Sequence, residues 1–335
     1  MKLIFAITLA IIAMFPPCES RVAVKDIIQK INSMDTTWKA GRNFEEGGYV
    51  RRLLARSHPR PKVTLPVMAR LATDIMIPDK FDSRQQWPDC PTISHIQDQG
   101  ACGACWAVAG AATFSDRVCV ASNGKYKLHL SAHHLLTCCG VKMCGTIACD
   151  GGDDYRAWVF FRKHGVTTGG DYNTTEGCQP YTVAPCEHHT DGKRPDCYKM
   201  PEPVIEKCSQ ECTNQKYSTP MQKDLFKVSR AYKVMSDVSE IKKEIVKHGP
   251  VQAGFTVYED FHVYKTGIYR HTVGAKVGEH SVRILGWGWE GSQPYWLVAN
   301  SWNTNWGEQG TFRVAMGVNE CGIEEAVHAG IPIID

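Results

Sequence analysis

The chain lacks a marked excess of either charge and, beyond its first residues, any long apolar run. Its 335 residues include 38 Lys or Arg and 35 Asp or Glu, a formal charge of +3. Because nucleic-acid-binding domains carry strong basic patches, this balance predicts no nucleic-acid partner. No later segment is apolar over the ~20 residues that a spanning helix needs, and no repeat or low-complexity tract occurs. We expect one large core or two modest ones.

The first residues are the exception to this absence of apolar runs. Met1 and Lys2 precede an apolar run that ends at Phe15 and is followed by Pro16 and Pro17. The run is short for a spanning helix, which favours a cleaved secretory signal. We predict a signal peptide over residues 1–20 and entry into the secretory pathway, with the lysosome, the endosome or the exterior as destination. An uncleaved membrane anchor is the alternative.

Cysteine is absent from residues 21–76, although the whole chain contains 15. This leader holds eleven Lys or Arg and five Asp or Glu, so its formal charge is +6 and that of residues 77–335 is −3. A basic leader on an acidic, cysteine-rich body predicts a removable segment held partly by charge. Because three prolines interrupt the leader, a flexible linker is the alternative.

The cysteine count predicts an oxidising compartment and a set of disulfides. Cys18 would leave with the signal peptide, so fourteen cysteines remain. If one of them is a nucleophile, a second must also stay outside the disulfides, and Cys321, far downstream of the others, is our candidate. A zinc site among the four cysteines of residues 138–149 is the alternative, but adjacent cysteines fit a tetrahedral site poorly.

Cys105 lies in the run Gln-Gly-Ala-Cys-Gly-Ala-Cys-Trp of residues 99–106. The alanine-rich segment that follows predicts a buried helix that ends near Asn123 and Gly124. Cys105 would then begin the helix, where unpaired N–H groups and the helix dipole favour a thiolate. We predict that Cys105 is a nucleophile; a purely structural cysteine is the alternative.

A thiolate nucleophile needs a cationic partner that later protonates the leaving amine, and histidine suits this role. His280 begins one apolar, strand-like run and Asn300 ends another, where its amide can orient an imidazole. Gln99 can donate its side-chain N–H to a developing oxyanion, together with the backbone N–H of Cys105. These four residues predict an acyl-transfer site.

Beyond residue 77 the chain has two compositional halves. The first, to about residue 220, holds thirteen of the fourteen remaining cysteines and the Cys105 helix. The second predicts strands over residues 249–258, 280–287, 295–300 and 310–315. A helical lobe beside a sheet lobe predicts an α+β protein with a cleft between the lobes.

These runs resemble the papain family of cysteine proteases, and within it the cathepsin B-like group. The resemblance covers nearly all of residues 25–335 and is carried by residues 36–44, 81–88, 99–106, 283–288, 295–303 and 321–324. It implies the papain-like two-lobed fold: a helical left lobe with the Cys105 helix, a β-barrel-like right lobe and an active-site cleft between them. A propeptide over residues 21–76 would precede a mature peptidase over residues 77–335.

The resemblance also implies a role for each site residue. The implied set is Cys105 as nucleophile, His280 as acid and base, Asn300 as its orienter, Gln99 in the oxyanion hole, Trp302 as a shield over the Asn–His pair, and Gly151 and Gly152 as substrate-binding backbone. Asp153 and Asp154 replace the family's usual aromatic start after these glycines and alter the cleft wall. No cofactor or metal is implied.

Six disulfides are implied in the same way, with Cys105 and Cys321 outside them. The implied pairs are Cys90–Cys119, Cys102–Cys149, Cys138–Cys208, Cys139–Cys144, Cys178–Cys212 and Cys186–Cys197. Separately, Asn173 begins the sequon Asn-Thr-Thr, which predicts an exposed loop and a candidate glycosylation site.

The Cys186–Cys197 segment resembles the occluding loop of the cathepsin B-like group, whose paired histidines, here His188 and His189, receive a substrate's C-terminal carboxylate. In that group Arg194 of the loop pairs with an aspartate where this chain has Asn305, while the expected partner of His188, Asp98, is present. We therefore expect Arg194 to lose its charge partner. The consequences would be a looser loop, weaker trimming of C-terminal dipeptides and relatively more internal cleavage.

Two further departures concern acidic residues near the site. The residue that lets the group accept arginine two residues before the cut aligns with Ala326, and its missing carboxylate predicts apolar or aromatic preference there. Neighbouring Glu325 is the candidate that would compensate. Glu279 precedes His280, and we expect its charge to favour the imidazolium and extend the active pH range upward.

Together these features predict a secreted or lysosomal cysteine endopeptidase made as a zymogen, with additional peptidyl-dipeptidase activity. The expected partners are protein and peptide substrates, the chain's own propeptide as an inhibitor, and cystatin-type inhibitors. An inactive homologue that binds proteins and a disulfide-rich structural protein are the alternatives. The first would be expected to lack a site residue, and the second leaves the Gln, Cys, His and Asn set unexplained.

Overall fold

The computed structural model describes residues 23–42, 54, 65–68, 70–71, 74–145 and 148–334. The predicted signal peptide, residues 1–20, lies outside the described residues, as do the parts of the predicted leader missing from these ranges. Over the described ranges, no helix is both long enough and apolar enough to cross a membrane.

The described part of the chain contains six α-helices and nine strands. The helices are α1 (Val24–Ser33), α2 (Ser83–Gln86), α3 (Cys105–Ala121), α4 (Ala132–Cys138), α5 (Asp154–Lys163) and α6 (Val238–His248). The strands are β1 (Trp38–Ala40), β2 (Phe81–Asp82), β3 (Val228–Lys233), β4 (Val251–Tyr258), β5 (Tyr264–Tyr269), β6 (Lys276–Glu290), β7 (Gln293–Ala299), β8 (Thr311–Ala315) and β9 (Val327–Pro332). The predicted strands of the second half are confirmed as β4, β6, β7 and β8.

The strands form one sheet in the order β1-β5-β8-β7-β6-β4-β9-β3, with β2 paired to β6. Neighbouring strands are antiparallel, except that β5 and β8 are parallel. Among the described residues no pairing joins β1 to β3, so the right lobe has an open sheet and not the closed arrangement that the term β-barrel-like suggests.

Helix α3 confirms the helix predicted after Cys105. It has 17 residues, most of them buried, and it stops before Asn123 and Gly124, whose φ angles of +52° and +77° lie in the left-handed region that ends helices. Two buried ion pairs attach α3 to the sheet lobe: Asp116 with Arg283 of β6, and Arg117 with Glu244 of α6.

Two buried apolar clusters underlie the two lobes and confirm the α+β architecture. One cluster is built mainly from the sheet and includes Trp302, while the other surrounds α3, α4 and α5 and includes Trp106. The backbone N–H of Gln99 donates to the carbonyl of Ser301 at 2.9 Å, so the run before α3 contacts the segment that follows β7.

The predicted leader packs against the sheet lobe. α1 buries Val24, Ile27 and Ile31, and β1 extends the sheet by pairing with β5. The Trp38 indole N–H donates to the carbonyl of Arg270 at 2.9 Å, and its ring is almost completely buried. Apolar packing and backbone hydrogen bonds therefore hold the leader, in addition to the predicted attraction between charges.

The six implied disulfides are all present. The pairs are Cys90–Cys119, Cys102–Cys149, Cys138–Cys208, Cys139–Cys144, Cys178–Cys212 and Cys186–Cys197. Cys105 and Cys321 are outside them, as predicted. The zinc alternative is wrong, because every cysteine of residues 138–149 is oxidised and offers no thiolate to a metal.

Candidate active site

Cys105 is the first residue of α3 and is completely buried. The first turn of α3 contains no acidic residue that would compete for the helix dipole. Since the N-terminal end of a helix is electropositive, it lowers the pKa of a thiol placed there. The sequence-predicted location of Cys105 at the helix start is confirmed.

His280 and Asn300 come together through the pairing of β6 with β7, in which Arg283 lies opposite Ala299. Nε2 of His280 lies 2.7 Å from Oδ1 of Asn300. An amide oxygen only accepts, so Nε2 carries the proton and Nδ1 is the basic nitrogen. Nδ1 is buried and makes no hydrogen bond within the described part of the chain.

Trp302 covers this hydrogen bond. Its ring centroid lies 4.8 Å from that of His280, and its side chain is fully buried. Burial, with a smaller contribution from the charge of His188, lowers the pKa of His280 to about 4 against the opposing hydrogen bond to Asn300. In this structure, which retains the leader, burial of the site therefore disfavours the charged imidazolium.

Two hydrogen bonds fix the buried side chain of Gln99. Its side-chain nitrogen donates to the carbonyl of Cys102 at 2.8 Å, and its side-chain oxygen accepts from the Ser301 hydroxyl at 2.6 Å. The amide nitrogen carries a second hydrogen that can donate to a substrate oxygen. Ser301, which sequence reasoning missed, is the residue that sets the orientation of this amide.

Gln252 is a second residue that sequence reasoning missed. This buried residue of β4 donates from Nε2 to the carbonyl of Trp106 at 3.0 Å and to the hydroxyl of Ser281 at 2.9 Å. Its Oε1 accepts from the indole of Trp158 at 2.8 Å. One side chain thus joins the start of α3 to the residue after His280, and no local sequence signal marks it.

Gly151 and Gly152 lie against the start of α3. The Cys102–Cys149 disulfide and a 3.0 Å hydrogen bond from Gly103 N–H to the carbonyl of Cys149 hold this segment. A Cβ on Gly152 would lie 2.4 Å from the ring of Trp106, so only glycine fits. The backbone at Gly152 is therefore held against Trp106, the residue after Cys105.

His188 is fully buried and pairs with Asp98, with 2.7 Å between Nε2 and Oδ1. Burial by itself raises the pKa of Asp98, but the charge of His188 and hydrogen bonds from His188, Gly100 and Asn303 outweigh burial and lower it. The expected His188–Asp98 pair is confirmed, and it attaches the Cys186–Cys197 loop to the body of the protein.

The expectation that Arg194 lacks a charge partner is wrong. Its guanidinium binds the buried carboxylate of Glu187 at 3.0 Å, within the same loop. Asn305 donates its amide to both oxygens of that carboxylate, at 3.0 and 3.1 Å. Because an amide donates hydrogen bonds and an aspartate carboxylate cannot, Asn305 supports the Glu187–Arg194 pair. The loss of an aspartate at position 305 therefore gives no reason to expect a looser loop.

His189, which the sequence assigned to a carboxylate-binding pair, is a buried residue of the loop. Its ring centroid is 4.2 Å from that of His262 and 5.5 Å from that of Trp302. Burial and the neighbouring imidazoles lower the pKa of His189 well below its ordinary value, and burial lowers that of His262 to about 3. His262 was missed because a histidine in a short 3-10 turn carries no motif.

Two other residues that depart from the family pattern, Ala326 and Glu279, lie in different surroundings. Ala326 is partly exposed next to β9, and Glu325 is exposed, with its carboxylate bound by the side chain of Asn319. Glu279 binds Lys276 and Thr256. The prediction that Glu279 favours the imidazolium is not supported, because neighbouring residues of a strand point to opposite faces and the pKa of His280 is lowered.

Two remaining candidate sites can be placed. Asn173 is exposed in a turn with φ of +59°, as predicted for a glycan acceptor. Donor atoms of Cys186, His188 and Cys197 lie within 4.8 Å of one another. Both cysteines form a disulfide, so this cluster offers no thiolate while the bond is intact.

Comparisons with known families agree with this geometry. The sequence profile of the papain family cysteine proteases matches residues 77–331, and that of the peptidase family C1 propeptide matches residues 25–54. Cathepsin B-like cysteine proteinase 5 of Caenorhabditis elegans is 46% identical over 310 residues, which cover 91% of this chain and 89% of that protein. Proteinase 4 of the same species is 44% identical over 91% of each chain.

Solved structures give the same assignment. Procathepsin B S9 from Trypanosoma congolense superposes with a TM-score of 0.79 at 33% identity, covering 92% of this chain and 98% of that one. Digestive procathepsin L2 from Tenebrio molitor larval midgut, at 21% identity and a TM-score of 0.65 over 93% of this chain and 89% of that one, supports the fold alone. The chain therefore belongs to the papain family of cysteine proteases and is a cathepsin B-like peptidase made as a proenzyme.

Proposed function

We propose that Cys105 and His280 are the catalytic pair of this peptidase, with Asn300 as the orienting residue and Gln99 in the oxyanion hole. The observation that carries this proposal is the 2.7 Å hydrogen bond between His280 and Asn300. That bond leaves Nδ1 as the basic nitrogen of a buried imidazole. A thiol at the start of α3 and an imidazole in a fixed tautomer are the two requirements of thiol-based acyl transfer.

The reaction then proceeds in two balanced steps. His280 holds the proton of Cys105 as an imidazolium, and the thiolate attacks the carbonyl carbon of the substrate. The Gln99 side chain and the Cys105 N–H donate to the oxyanion. The imidazolium gives its proton to the leaving amine as the C–N bond breaks. His280 next takes a proton from water, whose oxygen attacks the thioester, and returns it to Cys105 as the acid leaves.

The direct test is labelling of the activated enzyme by an epoxysuccinyl inhibitor, which alkylates a reactive thiol. Cys105→Ala is expected to abolish both labelling and peptide hydrolysis, while Cys321→Ala, the matched control, leaves both unchanged. Burial and neighbouring Glu320 raise the pKa of the Cys321 thiol, so it stays protonated and unreactive. Hydrolysis that persists in Cys105→Ala would refute the assignment.

We further place the mature start near Ile77, with residues 1–20 as signal peptide and 21–76 as propeptide. Met76 is 88% exposed, which makes this junction accessible to a protease, and the two family profiles fall on either side of it. N-terminal sequencing of the protein before and after acid activation tests both boundaries. A mature N-terminus within α2 or beyond would contradict the second boundary.

The enzyme is proposed to cleave internal bonds and also to trim C-terminal dipeptides beneath the Cys186–Cys197 loop. The loop is attached at the His188–Asp98 pair and at the Glu187–Arg194–Asn305 contacts. Matched peptides with free and amidated C-termini separate the two activities, since only trimming needs a carboxylate. Equal cleavage of both forms at the same bonds would show endopeptidase activity only, without dipeptide trimming.

The proposed location is the secretory pathway, ending in the lysosome, the endosome or the exterior. The six disulfides and the exposed Asn173 suit an oxidising compartment with glycosylation. Cystatin-type inhibitors are proposed partners of the opened cleft. Expression in a secretory host followed by glycosidase digestion tests the glycan, with Asn173→Gln as the control, and titration with a cystatin tests the inhibitor.

A further inference from the structure

A small space lies beside the strand that carries His280. It is bordered by Gly254 of β4 and by Ala326, whose carbonyl accepts from the Gly254 N–H at 3.0 Å. A Cβ built on Gly254 would lie 3.5 Å from the Ala326 methyl group and 3.9 Å from the carbonyl oxygen of His280. Both bordering residues are small and only partly buried, so neither side chain fills the surface beside the strand of His280.

Asp154 reaches the same space from the other lobe. Its Oδ2 lies 3.1 Å from the position of that Cβ on Gly254, and its side chain is partly buried. Asp154 is the first residue of α5, two positions after Gly152. The Gly151–Gly152 backbone and the Asp154 carboxylate therefore approach the cleft together.

The two acidic residues of this turn have separate roles. Asp153 is the N-cap of α5, and its carboxylate accepts from the backbone N–H of Arg156 at 3.3 Å. The Arg156 guanidinium donates to the carbonyl of Met143. Asp154, in contrast, is directed at Gly254 in the neighbouring lobe.

Glu325, the candidate from the sequence, is not placed to serve this space. Its side chain is exposed, and its carboxylate accepts from the amide of Asn319 on the protein surface. Glu324, the residue before it, is buried and binds the indole of Trp296 at 2.9 Å. Asp154 is thus the carboxylate that the described structure brings to Gly254 and Ala326.

We propose that Asp154 is a specificity-determining residue that replaces the carboxylate missing at Ala326. The pocket then accepts arginine or lysine as the second residue before the cut, in place of the apolar preference expected from Ala326 alone. This inference rests on the proposed function, because the pocket matters for specificity only if neighbouring His280 is catalytic. A carboxylate offers about four acceptor positions, enough to bind a guanidinium in addition to its contacts in the proenzyme.

The physical basis is a charge-assisted hydrogen bond in a partly desolvated site, which is about twice as strong as a neutral one. An apolar side chain makes no such bond, so removal of the charge changes discrimination and leaves general activity unaltered. By the rule that 1.4 kcal/mol is tenfold, loss of one such bond lowers kcat/KM for a basic substrate by ~10-fold.

The test compares two reporter peptides that differ only in arginine or phenylalanine at the second residue before the cut. In the acid-activated enzyme, Asp154→Asn is expected to lower kcat/KM for the arginine reporter ~10-fold and to change the phenylalanine reporter less than ~2-fold. Glu325→Gln, which removes an equal charge from an exposed neighbour of Ala326, is expected to leave both unchanged.

A second variant separates a charge effect from a structural one. Adding Ala326→Glu to Asp154→Asn returns a carboxylate to the pocket from the opposite wall and is expected to restore turnover of the arginine reporter. The proposal would be overturned if Asp154→Asn left the ratio of the two kcat/KM values unchanged, whether or not both values fell. It would also be overturned if Glu325→Gln, and not Asp154→Asn, lowered kcat/KM for the arginine reporter. Failure of the proposed function would look different: neither reporter would be turned over by the unmodified enzyme, and no epoxysuccinyl label would be incorporated.

Discussion

At the scale of single residues, the most unusual feature is the group of four histidines around the ring of Trp302. Their ring centroids lie 4.8 to 5.9 Å from that of Trp302, in the order His280, His189, His262 and His188. Burial lowers the pKa of three of them, with that of His262 at about 3 and that of His280 at about 4. Acid therefore adds charge to three buried rings whose surroundings disfavour it.

This arrangement predicts the effect of His262→Leu on acid stability. A histidine whose folded pKa lies below its ordinary 6.5 destabilises the fold progressively as the pH falls below that value. His280 and His189 oppose its protonation, and Asp260 favours it. At pH ~4.5, about two units below the ordinary pKa, the destabilisation is on the order of 3 kcal/mol. We expect the leucine variant to raise the Tm of the proenzyme by several degrees at this pH.

At pH ~7.5 the same variant should change Tm little, because both folded and unfolded states hold a neutral histidine there. Calorimetry of the inactive Cys105→Ala proenzyme at the two pH values makes the comparison without self-cleavage. A Tm difference that is independent of pH would show that His262 matters only for packing. His164→Leu, which replaces an exposed histidine, is the control for loss of a histidine from the surface.

At the scale of secondary-structure elements, Gln252 joins α3 to β6 and so sets the position of Cys105 relative to His280. Replacement by leucine preserves the approximate volume but removes bonds to Trp106, Ser281 and Trp158. We expect Gln252→Leu to lower kcat ~10-fold or more with little change in KM. Misplaced reacting groups raise the activation barrier of the chemical step but do not weaken substrate binding. Steady-state kinetics with the phenylalanine reporter measures both constants.

The result for Gln252→Leu is informative only if the protein still folds. Circular dichroism and the stoichiometry of epoxysuccinyl labelling give the folded, reactive fraction, to which kcat is normalised. An unchanged normalised kcat would mean that the buried ion pairs of α3 hold the two lobes in register without Gln252. A matching rise in KM would instead indicate a general disturbance of the cleft.

The Cys186–Cys197 loop gives a second prediction at this scale. Glu187→Gln removes the charge that Arg194 and Asn305 both bind, so the loop should open more often. We expect the ratio of dipeptide trimming to internal cleavage to fall ~3-fold or more, measured on the free and amidated peptides. Asp191→Asn, an exposed change in the same loop, is the control. An unchanged ratio of trimming to internal cleavage in Glu187→Gln would show that the His188–Asp98 pair is sufficient to hold the loop in place.

At the scale of the whole molecule, the described parts of the leader contact both ends of the sheet. β1 pairs with β5 at one end, and Val67 bridges Lys233 of β3 at the other. The backbone N–H of Leu71 donates to the carboxylate of Glu240 on α6 at 2.8 Å. The leader is therefore an added part of the sheet lobe, and its release must break contacts at two distant places.

Trp38→Ala tests how much the first of these contacts contributes. Removing a buried tryptophan costs ~3–5 kcal/mol, and this cost falls on the attachment of the leader. We expect the proenzyme variant to convert to the mature form at near-neutral pH, where the unmodified protein stays intact, as followed by gel electrophoresis. Val67→Ala, which keeps the backbone bridge and alters an exposed side chain, should behave like the unmodified protein.

Local sequence determined much of this enzyme. The run around Cys105, the apolar helix that follows it and the strands of the second half were predictable because helix capping and strand alternation depend on residues close together in the chain. The even count of remaining cysteines required a second one outside the disulfides, and the isolation of Cys321 along the chain selected it. Resemblance to the papain family added the disulfide pairs and the shielding role of Trp302.

Tertiary structure alone decided the partners of the residues that depart from the family pattern. Glu187 neutralises Arg194, Gln252 joins α3 to β6, His262 contacts the ring of Trp302, and Asp154 approaches Gly254. Each contact joins segments whose proximity depends on strand register and on how the lobes pack, which no local pattern encodes. The sequence by itself therefore determined the reaction, whereas the packing of the two lobes decided which charges and rings surround it.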